Sequence, residues 1–154
     1  MAFRGGTTET ALQRLPQDAY RRIGEFRQAL REFLVFSEAG AREHGLTSQQ
    51  HQALLAIKSH EGPDPMTVSE LAERLLIKTH SAVGLVARLV ERALVARRVS
   101  RADRRRVQLI LTDEGEGVLE AITGRNLDQL EGVAETLDEL LQTARRLQRD
   151  APRS

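Results

Sequence analysis

Two β-prone runs, Val95–Val99 and Arg106–Leu111, bracket a polar tip at Ser100–Arg105. Six arginines crowd between Arg97 and Arg106, with one acid, Asp103, among them. In the second run Val107, Leu109 and Leu111 alternate with Gln108 and Ile110, a strand-like period. The pattern predicts a hairpin with a cationic tip. It follows directly on two short helical stretches joined by a tight turn, the length and spacing of a helix-turn-helix. Helix, turn, helix, strand, basic loop, strand is the layout of a winged helix, so the expected fold class is mainly α with a small β-wing.

The rest of the chain supports a helical frame. Leu, Ala, Val, Ile and Arg dominate, aromatics are rare, and the 154 residues suit one domain with a real core. A first helix is predicted over Gln17–Glu43. Tyr20, Ile23, Phe26, Leu30, Phe33 and Leu34 recur there at three-and-four spacing, with Pro16 and Asp18 at the start and Gly45 as the stop. A second begins at Thr47 or Ser48, where Thr47 and Gln50 have capping-box spacing. The segment Glu61-Gly62-Pro63-Asp64-Pro65 must be a loop, because two prolines and a glycine block a helix.

Thr67 and Glu70 form another capping box, opening a short helix through Leu71, Ala72 and Leu75. The next helix runs from Thr79 to about Ala93, with Ala82, Leu85, Val86 and Leu89 inward. After the hairpin, Thr112 or Asp113 can cap a helical stretch. From Val118 to about Arg146 the chain is again helical, with a break expected near Gly124-Arg125-Asn126. The expected organisation is a loose N-terminal tail over residues 1–15, a domain over 16–148 and a frayed end at 149–154. Within the domain the winged helix spans about 47–112, flanked by dimerisation helices at about 17–44 and 113–148.

Charge is unevenly placed. From Lys78 to Arg106 nine bases face two acids, a local charge of +7, whereas from Val107 onward ten acids face five bases, giving −5. Such asymmetry suits one surface for a polyanion and another kept off it. A helix can enter the major groove of double-stranded DNA, and an adjacent cationic hairpin can hold the backbone or minor groove.

On this reading Thr79, His80, Ser81 and Val83 lie on the exposed start of the recognition helix. Gly84 permits close approach or fills a tight packing spot. Lys78, Arg88 and Arg98 clamp phosphates, and Arg104, Arg105 and Arg106 reach phosphates or a narrow minor groove. The alternative is a winged-helix protein-interaction module, in which the basic patch is a solvated face indifferent to duplex.

Other functions find little support. There is no cysteine, which excludes disulfides and Cys-based zinc sites. No nucleophile elbow, phosphate-cradling glycine loop or HExxH appears, so neither an enzyme, a metal site nor a cofactor is expected. No apolar run approaches the roughly 20 residues that span a bilayer, and no signal-peptide pattern is present, so a cytoplasmic protein without membrane attachment is expected. The apolar stripes of the first and last helices exceed what one small winged helix covers. That predicts burial against a second copy, the alternative being an intramolecular helical hairpin.

The run Asp103-Arg104-Arg105-Arg106-Val107-Gln108-Leu109-Ile110-Leu111-Thr112-Asp113-Glu114-Gly115 has the skeleton Asp-x-Arg, five residues, Leu-Thr, two residues, Gly. It resembles the wing signature of the multiple-antibiotic-resistance regulator (MarR) family. Val68–Leu75 and His80–Leu89 resemble that family's two helix-turn-helix helices, and the likeness runs from about Gln17 to Leu147. The resemblance implies a homodimeric winged-helix transcriptional regulator, more often a repressor than an activator, with interlocked terminal helices. Its recognition helices would enter successive major grooves of a pseudo-palindromic operator. It further implies release from DNA by a small aromatic or anionic effector.

By the same resemblance Arg105 is the wing arginine, and Asp103 stabilises the wing by pairing with a nearby arginine. An effector pocket is expected near Phe36, His44 and Leu54, where the first, second and fifth helices meet. The chain departs from the family pattern at Leu76 and Ala93, where glycine is frequent.

Overall fold

The computed structural model describes residues 14–150. Of the tail and frayed end expected above, residues 1–13 and 151–154 lie outside the described residues. The elements are α1 (Gln17–Glu43), α2 (Ser48–Lys58), α3 (Val68–Leu75), α4 (Thr79–Glu91), β1 (Val95–Val99), β2 (Val107–Leu111), α5 (Asp113–Asp128) and α6 (Leu130–Asp150). Two compact units result, one from the chain up to Leu30 and from Gly132 on, the other Arg31–Glu131.

The larger unit is the winged helix. Its core gathers Leu54 and Ile57 from α2, Leu71 from α3, Leu85, Val86 and Leu89 from α4, Val95 and Leu109 from the strands, and Leu119 and Ile122 from α5. Both capping boxes form as expected: Thr47 accepts from the Gln50 N–H and Thr67 from the Glu70 N–H, with the reciprocal bonds present. The strands pair antiparallel, Val95 opposite Leu111 and Val99 opposite Val107. Leu109 also donates its N–H to the Met66 carbonyl at 2.8 Å, and Thr67 bridges to Gln108. The wing is thereby stitched to the start of α3.

The two departures from glycine are solved without changing the turns. Leu76 (φ 56°) and Ala93 (φ 57°) both adopt the left-handed conformation that glycine would take freely. At each, hydrogen bonds across the turn hold the strained residue: Leu76 N–H to Glu73 at 3.2 Å and Ile77 N–H to Ala72 at 3.0 Å, Ala93 N–H to Val90 at 2.9 Å and Leu94 N–H to Leu89 at 3.0 Å.

The expected break near Gly124-Arg125-Asn126 is present but lies three residues further on, at Gln129. α5 passes through Gly124 and ends at Asp128, with Gln129 as the cap. Side-chain anchors outweigh the cost of Gly124. Asn126 donates to the Ser37 hydroxyl at 2.8 Å, and Arg125 pairs with Glu43 while lying 5.3 Å from the Phe36 ring centroid. α5 starts at Asp113 with Thr112 as its cap, as the sequence predicts, the Thr112 hydroxyl accepting the Gly115 N–H at 3.0 Å.

Gly115 itself is required by space. A Cβ there would sit 2.1 Å from the Leu94 carbonyl oxygen, a backbone atom that cannot step aside. Gly115→Ala should therefore destabilise the fold by about 3 kcal/mol, the upper range for forced overpacking. Urea unfolding would detect this as a lowered midpoint; an unchanged midpoint would contradict the close approach.

His51 is buried on α2 with its Nε2 unpartnered, and burial lowers its pKa below the ordinary 6.5. The folded state thus holds a neutral imidazole, while the unfolded chain takes up a proton as pH drops through 6.5. Below that point the unfolded state binds more protons. Stability present above it is lost as pH falls toward the depressed folded value. Urea melts at pH 7.5 and pH 5 should show a loss on acidification that His51→Gln reduces; an equal loss in both proteins would contradict it.

In the smaller unit, Asp18 pairs with Arg146 at 2.9 Å and Arg22 with Glu139. Arg21 first, and then Arg146, hold the Asp18 carboxyl below its usual range. Of the described residues in this unit, only Ala19 and Thr143 are buried. Leu15, Tyr20, Ile23, Leu137 and Leu141 are exposed.

Candidate nucleic-acid interface

Four inward residues seat α4 in the core: Ala82, Leu85, Val86 and Leu89 are all buried. That burial fixes which face turns out. Lys78, Thr79, His80, Ser81, Val83 and Arg88 are exposed, and Gly84 is half-buried. Lys78 is the N-cap, without a side-chain cap bond, so its ammonium remains available at the helix start. The left-handed Leu76 sets the entry into this helix, and its own side chain is 93% exposed.

The wing tip is held by its backbone. Ser100 N–H donates to the Arg106 carbonyl at 2.9 Å, and Arg106 N–H to the Asp103 carbonyl at 3.0 Å. The Asp103 N–H donates to the Ser100 hydroxyl at 3.3 Å, and the Asp103 carboxylate accepts the Arg105 N–H at 3.0 Å. The expected pairing of Asp103 with an arginine side chain is therefore corrected. Among the described residues its carboxylate holds backbone, because a tight turn brings the Arg105 amide nearer than any guanidinium.

The arginines divide. Arg98 donates twice to the Gln108 Oε1, at 3.2 and 3.3 Å, across the strand pair. Arg106 lies 3.7 Å from Glu70, whose carboxyl is held below its usual range first by the Thr67 N–H and hydroxyl. Arg104 and Arg105 are exposed and have no ion-pair partner among the described residues. Of the three tip arginines, these two are free to meet an external anion.

Sequence reasoning read Glu70 only as a cap and missed its contact with the wing. It also passed over Ala87, which is exposed on α4 four residues after Val83. That i, i+4 spacing was the available signal.

Phe36, His44 and Leu54 are not assembled as an open pocket. Leu54 is fully buried in the core, His44 turns Nδ1 onto the Gly40 carbonyl at 3.0 Å, and Phe36 lies beneath Arg125. A cavity of about 470 Å³ lies instead against the Gly62–Pro65 loop, floored by Ile57, Met66 and Leu109 and rimmed by Lys58, Arg98 and Glu116. Lys58 and Glu116 pair there at 2.6 Å. Among the described residues no helix is long and apolar enough to cross a membrane.

Comparison with known proteins agrees with this geometry. The MarR family model matches residues 44–106, from the end of α1 to the wing tip. The HTH-type transcriptional repressor MdtR of Bacillus subtilis is 35% identical over 109 residues, covering 66% of this chain and 65% of that protein. The chain thus spans just under two thirds of that relative's length. The HTH-type transcriptional repressor NicR of Pseudomonas putida is 30% identical over 112 residues, covering 72% of this chain and 69% of its own. In fold, the S. aureus MepR–DNA complex is similar with a TM-score of 0.65 at 23% identity, over 80% of this chain and 91% of that one. Wing signature, helix-turn-helix and relatives agree: this chain belongs to the MarR family.

Proposed function

We propose that the protein is a sequence-specific double-stranded DNA-binding transcriptional regulator. One observation carries this: α4 turns Thr79, His80, Ser81 and Val83 outward in the same unit as a wing whose Arg104 and Arg105 guanidinium groups have no ion-pair partner among the described residues. A helix of that exposure fits a major groove, and free arginines on a hairpin fit phosphates or the minor groove. Lys78, Arg88 and Arg98 add positive charge around them. Two of the curated relatives, MdtR and NicR, are named as repressors, which favours repression as the mode of action.

The acting species in this proposal is a homodimer. A unit that among its described residues buries only Ala19 and Thr143 while exposing Leu15, Tyr20, Ile23, Leu137 and Leu141 gains most by covering that apolar surface with a second copy. Two-fold symmetry would then match a pseudo-palindromic operator with half-sites about one turn, roughly 10 base pairs, apart. Relief by a small aromatic or anionic effector completes the proposal. To bind near Phe36, His44 and Leu54 it would have to open the packing there.

Selection from a random duplex pool tests the proposal. The full chain should enrich a pseudo-palindrome, and log affinity for it should fall linearly with log salt at a slope of about −0.9 per phosphate neutralised. Failure to enrich any duplex at low salt would favour a protein-interaction module instead.

A further inference from the structure

Gly84 stands in the middle of α4, where glycine is the poorest helix former after proline. Nothing among the described residues asks for it. Among the described residues a Cβ built there would meet no heavy atom within 4 Å beyond its chain neighbours and its own turns of helix backbone, and the residue is not among those with positive φ. Gly24, Gly117, Gly124 and Gly132 are equally open, but Gly84 alone of these lies on the outward face of α4, between the exposed Val83 and Ala87, in the same unit as the wing, where its missing side chain leaves room for a surface approaching from outside.

The rest of the outward face has the same low relief. From Thr79 to Ala87 the residues that are not buried are Thr79, His80, Ser81, Val83, Gly84 and Ala87. None is an arginine, lysine, asparagine or glutamine, the side chains that pair bidentately with guanine or adenine edges. The long cations Lys78 and Arg88 stand only at the two ends of this face. A helix so surfaced has little reach, so its contacts must come from close approach. The groups it offers at that range are hydroxyls, one imidazole, and the methyls of Val83 and Ala87. In the major groove the apolar feature is the thymine 5-methyl.

We propose that α4 meets the major groove at backbone distance over Gly84 and reads thymine methyl groups through Val83 and Ala87. This rests on the DNA-binding reading above and names what that surface selects: half-sites with thymines facing the middle of α4, and no bidentate arginine–guanine contact from residues 79–87.

The test uses the full chain and a duplex recovered by selection from a random pool, prepared once with thymine and once with deoxyuridine. That exchange keeps every base-pairing hydrogen bond and removes only the methyls. Wild type should bind the thymine duplex about fivefold more tightly, the low end for one lost base contact. Val83→Ser should shrink that preference. Gly84→Ala should leave the thermal midpoint unchanged or raised, since alanine favours the helix, yet weaken binding to both duplexes about tenfold.

Equal affinity of wild type for the two duplexes would overturn the thymine assignment. Unchanged affinity in Gly84→Ala would overturn the close approach. If wild type binds no duplex of any sequence, the DNA-binding reading fails first, an outcome distinct from binding without thymine preference.

Discussion

Replacing Arg104 and Arg105 together by alanine is expected to lower affinity for a selected duplex about 100-fold while leaving the fold intact. Both side chains are exposed, and neither has an ion-pair partner among the described residues. The tip beneath them is shaped by Ser100, Asp103 and backbone bonds that the substitutions do not touch. Each arginine lost from a phosphate or narrow groove costs about 1–3 kcal/mol, and the salt slope should flatten by about one for each phosphate contact removed. The loss should be similar across duplex sequences, because such contacts position the protein more than they read bases. Anisotropy titrations at several salt concentrations, beside a thermal melt, would check this. Wild-type affinity and slope in the variant would remove the wing from the account.

The second large effect is expected from Ile23→Glu combined with Leu141→Glu. Both residues are already exposed in the single chain, at 49% and 41%. A charge at either position should therefore cost an isolated chain little. In a dimer that buries them, it places unpaired carboxylates in an apolar interface. The variant should be monomeric by sedimentation. Its duplex affinity should fall by at least about 100-fold, since the second half-site is no longer bound intramolecularly. Wild-type stability should rise with protein concentration, as association demands, and the variant's should not. A dimeric variant, or one with undiminished affinity for a two-site duplex, would contradict the assigned surface.

Much of the scaffold was legible because its signals are local. The stripe and stop of α1, both capping boxes, the proline loop and the alternation in β2 each depend on residues a few positions apart. Their predicted bounds match the structure closely. What stayed hidden depends on contacts distant in sequence. The continuity of α5 through Gly124 rests on Ser37, Phe36 and Glu43, some 80 to 90 positions upstream. The left-handed turns at Leu76 and Ala93 break local preference and are held by hydrogen bonds across the turn.

The candidate site divides the same way. That Thr79, His80, Ser81 and Val83 face outward follows from the periodicity of α4. Which arginines are free does not. Arg106 is drawn to Glu70 and Arg98 to Gln108 by strand register and by the stitching of the wing to α3. The same wing signature suggested an arginine partner for Asp103, where hairpin geometry supplied a backbone amide instead. Of the expected effector residues, Leu54 lies on the buried face of α2 and belongs to the core. A close approach such as Gly115 to Leu94 is visible in sequence only as a glycine and becomes a constraint only in three dimensions.

The most direct measurement is the mass of the complex that the full chain forms with a selected pseudo-palindromic duplex, by sedimentation at low ionic strength. The account predicts two chains on one duplex, already paired before DNA is added. A single chain per duplex, or a chain that sediments alone beside unbound duplex, would contradict it.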